Sequence, residues 1–137
     1  MSVAPMMHWS AAYLGRPWQV GATGPAAYDC WGLVAAVLRQ RAGVVVTPIA
    51  SPPEELRALI GYFRDHPEFA HWRPVETPRE LDCAVMAQAR HPFHVGLWLD
   101  GGRILHAMQP AVRIHDRVGL AHAGFRIHGI YRHEALS

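Results

Sequence analysis

The sequence predicts an α+β domain in which helices precede an antiparallel sheet of four to six strands, and three stretches predict it. After the capping residue Asp29, Trp31, Val34, Ala35 and Leu38 recur at helical spacing, which marks a core helix from Cys30 to about Gln40. Phe93 to Leu99 and Arg103 to Ala107 are apolar strands flanking Asp100-Gly101-Gly102, the signature of a hairpin. Val112 to His115 and Ile127 to Tyr131 read as further strands.

The remaining elements follow from local signals. Met7, Trp9, Ala11, Ala12 and Leu14 suggest a short helix within Met6 to Gly15, ended by the glycine. Gly15-Arg16-Pro17-Trp18 breaks the chain, and Trp18 falls in a loop that must fold back over the start of the core helix. Gly43 ends that helix, and Val44-Val45-Val46 is a weak strand candidate ahead of Pro48. Ser51-Pro52-Pro53-Glu54 opens a second helix that continues through Leu56, Leu59, Ile60 and Phe63 to about Asp65. His66 to Pro78 is broken by prolines and predicted irregular, with His66 and His71 as surface or packing residues. Leu81 to Ala87 is a strand that buries Cys83, and Arg117 to Gly124, with His122, is read as a loop. No internal repeat or low-complexity segment occurs, so residues 1–137 are read as one domain.

Composition narrows the function. The chain has 137 residues, 50% of them hydrophobic, which suits a real core. A net charge of +2, evenly spread, lacks the electrostatic footprint of a nucleic-acid binder. The two cysteines could form one disulfide but not a framework. No CxxC or Cys/His zinc spacing appears, and no metal or organic cofactor is expected. No apolar run approaches a membrane span, and Met1 to Trp18 lacks the basic-then-apolar pattern of a signal peptide; cytoplasmic synthesis is expected.

The chemistry centres on Cys30 and two histidines. Just inside a helix capped by Asp29, Cys30 meets the positive end of the helix dipole, which favours thiolate over thiol. On the hairpin, Val95, Leu97 and Leu99 alternate with His94, Gly96 and Trp98, giving a Val/Leu face and a His face. A three-residue loop pairs Leu99 with Arg103 and sets His106 opposite Gly96, diagonal to His94 on one face; a two-residue loop would turn His106 to the other face. Gly-Gly suits the longer loop. One imidazole could then take the thiol proton and return it to a leaving amine, while a second group fixes its tautomer. His8, His91, His115, His128 and His133 show no such relation and are read as structural.

These residues resemble the NlpC-type family of bacterial cell-wall cysteine peptidases, a papain-like clan. Asp29-Cys30-Trp31-Gly32-Leu33-Val34 resembles its nucleophile motif Asp-Cys-Ser-Gly-Leu-Val, and His94-Val95-Gly96-Leu97-Trp98 its His-Val-Gly-Ile-Tyr strand. Leu105-His106-Ala107 resembles the strand bearing its third catalytic residue, and Leu81-Asp82-Cys83-Ala84-Val85 stands where the family has Gly-Asp-Leu-Val. The resemblance implies Cys30 as nucleophile, His94 as base and His106 as its orienting partner. It assigns Trp18, Asp29 and Trp31 to oxyanion or substrate binding, although Trp18 replaces a tyrosine and Trp31 a serine. The implied substrate is a peptidoglycan stem peptide, cut between D-glutamate and the diamino acid. Trp18, the Cys-Trp-Gly run and Phe125 to Arg132 further resemble a variant found in phage and prophage tail proteins. That variant implies other tail proteins as partners and delivery with the virion to the cell wall. The rival expectation is a structural tail-assembly component with vestigial chemistry.

Overall fold

The computed structural model describes residues 8–47, 67–88 and 91–136. Its central helix, α1 (Cys30–Ala42), begins where expected: the Asp29 carboxylate accepts the Gly32 N–H at 2.6 Å. It ends at Gly43, whose φ of 66° lets its N–H reach back to the Leu38 and Arg39 carbonyls. Leu33, Val34, Val37 and Leu38 are fully buried, and Trp31, Gly32 and Ala36 nearly so. Burial runs round most of the helix, as in a helix enclosed on several sides.

Six strands follow: β1 (Trp72–Pro74), β2 (Cys83–Gln88), β3 (His91–Leu99), β4 (Arg103–Ala107), β5 (Val112–His115) and β6 (Phe125–His133). They form one antiparallel sheet in the order β1-β6-β2-β3-β4-β5. The hairpin register is the one the longer loop demands, with Leu99 opposite Arg103 and Leu97 opposite Leu105. Both faces of the sheet are covered. On one, Cys83, Val95, Leu97, Leu99, Leu105, Ala107 and Val112 pack into the core around α1. On the other, Ala84, Met86, Trp98, Ile104, Phe125 and Ile130 enclose Leu120 of a second helix, α2 (Arg117–His122).

Several expectations need correction. The N-terminal helix is only a 3₁₀ turn, Trp9–Ala12, whose start is capped by the His8 ring. The irregular stretch 66–78 holds a 3₁₀ turn, Pro67–His71, and strand β1, because Trp72 to Pro74 find partners in Tyr131 to His133. The loop 117–124 contains α2, capped by Asp116 accepting from Gly119 N–H at 2.8 Å and held by burial of Leu120. Val44 to Val46 form no strand. The helix expected over 51–65 lies outside the described residues.

The last strand is tied into the sheet by a buried ion pair. Arg132 donates from Nε and Nη2 to the two oxygens of Asp82 at 2.8 and 2.7 Å, with only 10% and 1% of these side chains exposed. Among the described residues, no helix is long and apolar enough to cross a membrane.

Candidate active site

The turn preceding α1 is stitched to the helix start. Asp29 N–H donates to the Ala22 carbonyl at 2.9 Å, and Gly21 N–H donates to the second Asp29 oxygen at 3.0 Å. A Cβ on Gly32 would run into the Ala22 carbonyl, so only glycine permits this approach. Trp18 does fold back as expected. Tyr28 N–H donates to Pro17 and Gln19 N–H donates to Tyr28, which sets Trp18 beside the residue two before Cys30. The half-buried Trp18 ring packs against the core around α1.

Cys30 therefore sits at a rigid helix start, partly buried, with a free thiol. The backbone N–H groups of Val95, Trp31 and Cys30 itself favour its thiolate through hydrogen bonding. Cys30 packs against the core cluster that contains Val95, the residue after His94. Acidification of the thiol, expected from the helix start, does not occur. Burial first, and the Asp29 carboxylate second, push the Cys30 thiol up to about 12 against those hydrogen bonds. Desolvation penalises the thiolate more than a helix terminus rewards it. Cys83 is buried, and its thiol is raised too, by burial and by its neighbours Cys30 and Asp82.

His94 and His106 are brought together. His94 Nε2 lies 2.8 Å from His106 Nδ1, and both rings pack on Phe125 at centroid distances of 4.8 and 5.5 Å. Gly96 makes the room: a Cβ there would fall 2.9 Å from the His106 Cβ. The pair is not alone. His106 Nε2 lies 2.9 Å from Nδ1 of His115, which joins the pair although its expected role is structural. Alternation on β5 could have placed His115 on a face with Arg113, but the β4–β5 register was not legible. In that register Ile104 opposes His115 and His106 opposes Arg113. The result is a run of three imidazoles from β3 to β5, bonded nitrogen to nitrogen. Its middle ring is fully buried, and burial, then His94 and His115, push His106 down to about 2, so it stays neutral. No group of three or more described His, Cys, Asp or Glu residues is arranged to hold a metal ion.

Beside the helix start, a pocket of about 230 Å³ is lined by Gly21, Thr23, Asp29, Gly32, Arg39 and Val46, among others. Burial raises the Asp29 pKa, and the Gly32 and Gly21 N–H groups oppose that. Trp31 also borders the pocket, but its ring is 4% exposed, packs on Phe69 and Trp72, and spends its indole N–H on the Thr47 carbonyl at 3.0 Å. It serves as a wall rather than as a donor to a ligand.

This is a papain-like α+β domain with a cysteine at a helix start and imidazoles on the adjoining strands. The NlpC/P60 family profile matches residues 15–119, and the chain belongs to the NlpC/P60 family. Among solved structures, the fold is similar to the NlpC/p60 domain of the peptidoglycan hydrolase SagA, at 18% identity and a TM-score of 0.60, covering 90% of this chain and 92% of that one. It is also similar to a Staphylococcus aureus subsp. aureus Mu50 protein described as similar to a lipoprotein of the NLP/P60 family (20% identity, TM-score 0.58, 90% of this chain and 38% of that one). NlpC1 from Trichomonas vaginalis matches at 18% identity and a TM-score of 0.60, over 90% of this chain and 41% of that one. The chain thus spans nearly all of the first and about two fifths of the other two. Among curated proteins no match is found.

Proposed function

We propose that the domain is a cysteine peptidase that hydrolyses an amide bond in peptidoglycan stem peptides, with Cys30 as nucleophile, His94 as general base and His106 as its orienting partner. The observation that carries this reading is Cys30 at the capped start of α1, packed against the core that contains Val95, one residue from an imidazole whose Nε2 is already held by His106. His94 Nδ1 takes the thiol proton as sulfur attacks the carbonyl carbon. The Cys30 N–H, at the open end of α1, donates to the oxyanion. Collapse breaks the C–N bond, the His94 proton passes to the leaving amine, and water cleaves the thioester. Because the resting thiol is held protonated, base and nucleophile must act together rather than through a preformed free thiolate.

The pocket lined by Asp29 supports a peptide's amino end on that side, with the carboxylate as its counter-charge. A D-glutamyl–diamino acid bond and a place in a phage or prophage tail rest on the family resemblance of the motifs. Digestion of purified peptidoglycan by wild type and Cys30→Ala tests the reaction: wild type should release muropeptide fragments whose masses report the cleaved bond, and the variant none. Inert wild-type protein across the pH range, found instead as a stoichiometric part of tail particles, would favour a structural tail component.

A further inference from the structure

We propose that His115 is a positioning residue of this site: its Nδ1 accepts the Nε2–H of His106, which makes His106 Nδ1 the acceptor for His94 Nε2–H and leaves the His94 Nδ1 lone pair for the thiol proton. The proposal rests on the hydrolase reading for its catalytic consequence, and on geometry alone for the direction of the hydrogen bonds.

Each neutral imidazole carries one proton on one of two nitrogens. Two bonds in series, at 2.8 and 2.9 Å, can therefore run in only two directions. If they run toward His94, His106 donates from Nδ1, His94 must hold its own proton on Nδ1, and that ring cannot accept one from sulfur. If they run toward His115, His94 Nδ1 is the base. The far end of the chain favours the second. His106 is completely buried, so in either direction its Nε2 has no water to turn to and bonds to His115. His115 is only partly buried and is free to adopt the Nε2–H tautomer that imidazole favours in water, presenting Nδ1 as an acceptor.

The surroundings of His115 do not compete for that nitrogen. On β4 it faces Ile104 and His106, and on its own strand the exposed Arg113. From α2, Gly119 backs the ring closely, and the Asp116 carboxylate is engaged by Gly119 N–H. The Arg117 guanidinium lies over the Trp98 ring, 5.6 Å from its centroid. During the reaction the S–H bond breaks and an N–H bond forms at His94 Nδ1. The same proton later leaves for the amine nitrogen, while the two bonds behind it keep their direction.

Histidine side-chain ¹⁵N NMR on wild type, His115→Phe and His115→Asn tests this, alongside steady-state peptidoglycan cleavage. Wild-type His106 should carry its proton on Nε2. In His115→Phe, which fills the space without an acceptor, the proton should move to Nδ1, and kcat should fall about 10- to 100-fold with KM little changed, the loss expected when the partner of a functional imidazole is removed. His115→Asn, which restores an acceptor near the Nδ1 position, should recover both signals. A wild-type His106 protonated on Nδ1, or a His115→Phe variant with wild-type tautomer and kcat, overturns the proposal while leaving the hydrolase reading intact. A tautomer that responds as described in a protein that cleaves no peptidoglycan supports the bond direction and removes the hydrolase reading alone.

Discussion

Gly96 shows how a single missing methyl can hold a site open. A Cβ at this position would lie 2.7 Å from Ile104 Cγ2, 2.8 Å from the Leu105 carbonyl oxygen and 2.9 Å from His106 Cβ. Gly96→Ala should therefore cost about 1–3 kcal/mol through overpacking. By shifting His106 it should also reduce peptidoglycan cleavage more than the lowered melting temperature explains. Wild-type activity in the folded variant would show that the imidazole pair tolerates displacement. A second residue-scale prediction concerns the source of thiolate. With burial holding the Cys30 thiol up to about 12, the proposed mechanism assigns reactivity near neutral pH to His94. In His94→Ala, iodoacetamide labelling of Cys30, followed by mass spectrometry, should climb only far into the alkaline range, with buried Cys83 labelled less throughout. Labelling at the wild-type rate at neutral pH would mean that the helix start alone ionises the sulfur.

At the scale of the element, α1 and the loop before it act as one unit, because Asp29 caps the helix with one oxygen and holds Gly21 N–H with the other. The same carboxylate raises the thiol pKa. Asp29→Asn and Asp29→Ala separate the two effects. Asparagine keeps a cap and loses the charge, so the thiol should ionise at lower pH with little change in melting temperature. Alanine loses the cap as well and should cost about 1–2 kcal/mol. Equal stability of the two variants would deny the capping role. The helix was legible in the sequence for the same reason that it is testable: its cap, its apolar spacing and its closing glycine are all local. The β3–β4 hairpin was legible likewise, through Asp100-Gly101-Gly102. Helix α2 was not, because Gly119 and Gly124 signal a loop while the burial of Leu120 against the sheet is a tertiary fact. Strand β1 stayed hidden because its partner, β6, lies far along the chain. His115 was missed because its bond to His106 depends on the β4–β5 register. The thiol was misjudged because a helix dipole is visible locally and burial is not.

Over the whole molecule, two buried polar clusters couple the sheet to pH and to its own closure. Asp82 and Arg132 join the start of β2 to the end of β6, and Asp82 also accepts the Arg79 N–H at 2.7 Å. Asp82→Ala would strand a guanidinium in a nearly dry setting and should cost about 3–5 kcal/mol, read as a lower denaturation midpoint. His106 adds a dependence with a definite sign. Its pKa falls from 6.5 to about 2 on folding, because burial and its two neighbouring imidazoles exclude a charge from the middle ring. Between these values the unfolded chain binds a proton that the folded chain refuses, so ν_U exceeds ν_N and stability rises with pH. The contribution is fully present above 6.5 and is lost as pH falls below it, by up to about 1.4 kcal/mol per pH unit. His106→Asn removes the titrating ring from the sheet. Urea denaturation at pH 7 and pH 5 should show wild type losing roughly 1–2 kcal/mol more than the variant across that interval. Parallel losses would mean that the buried ring accepts a proton in the folded protein, and a charged centre would then sit inside the imidazole run that the proposed mechanism requires to be neutral at rest.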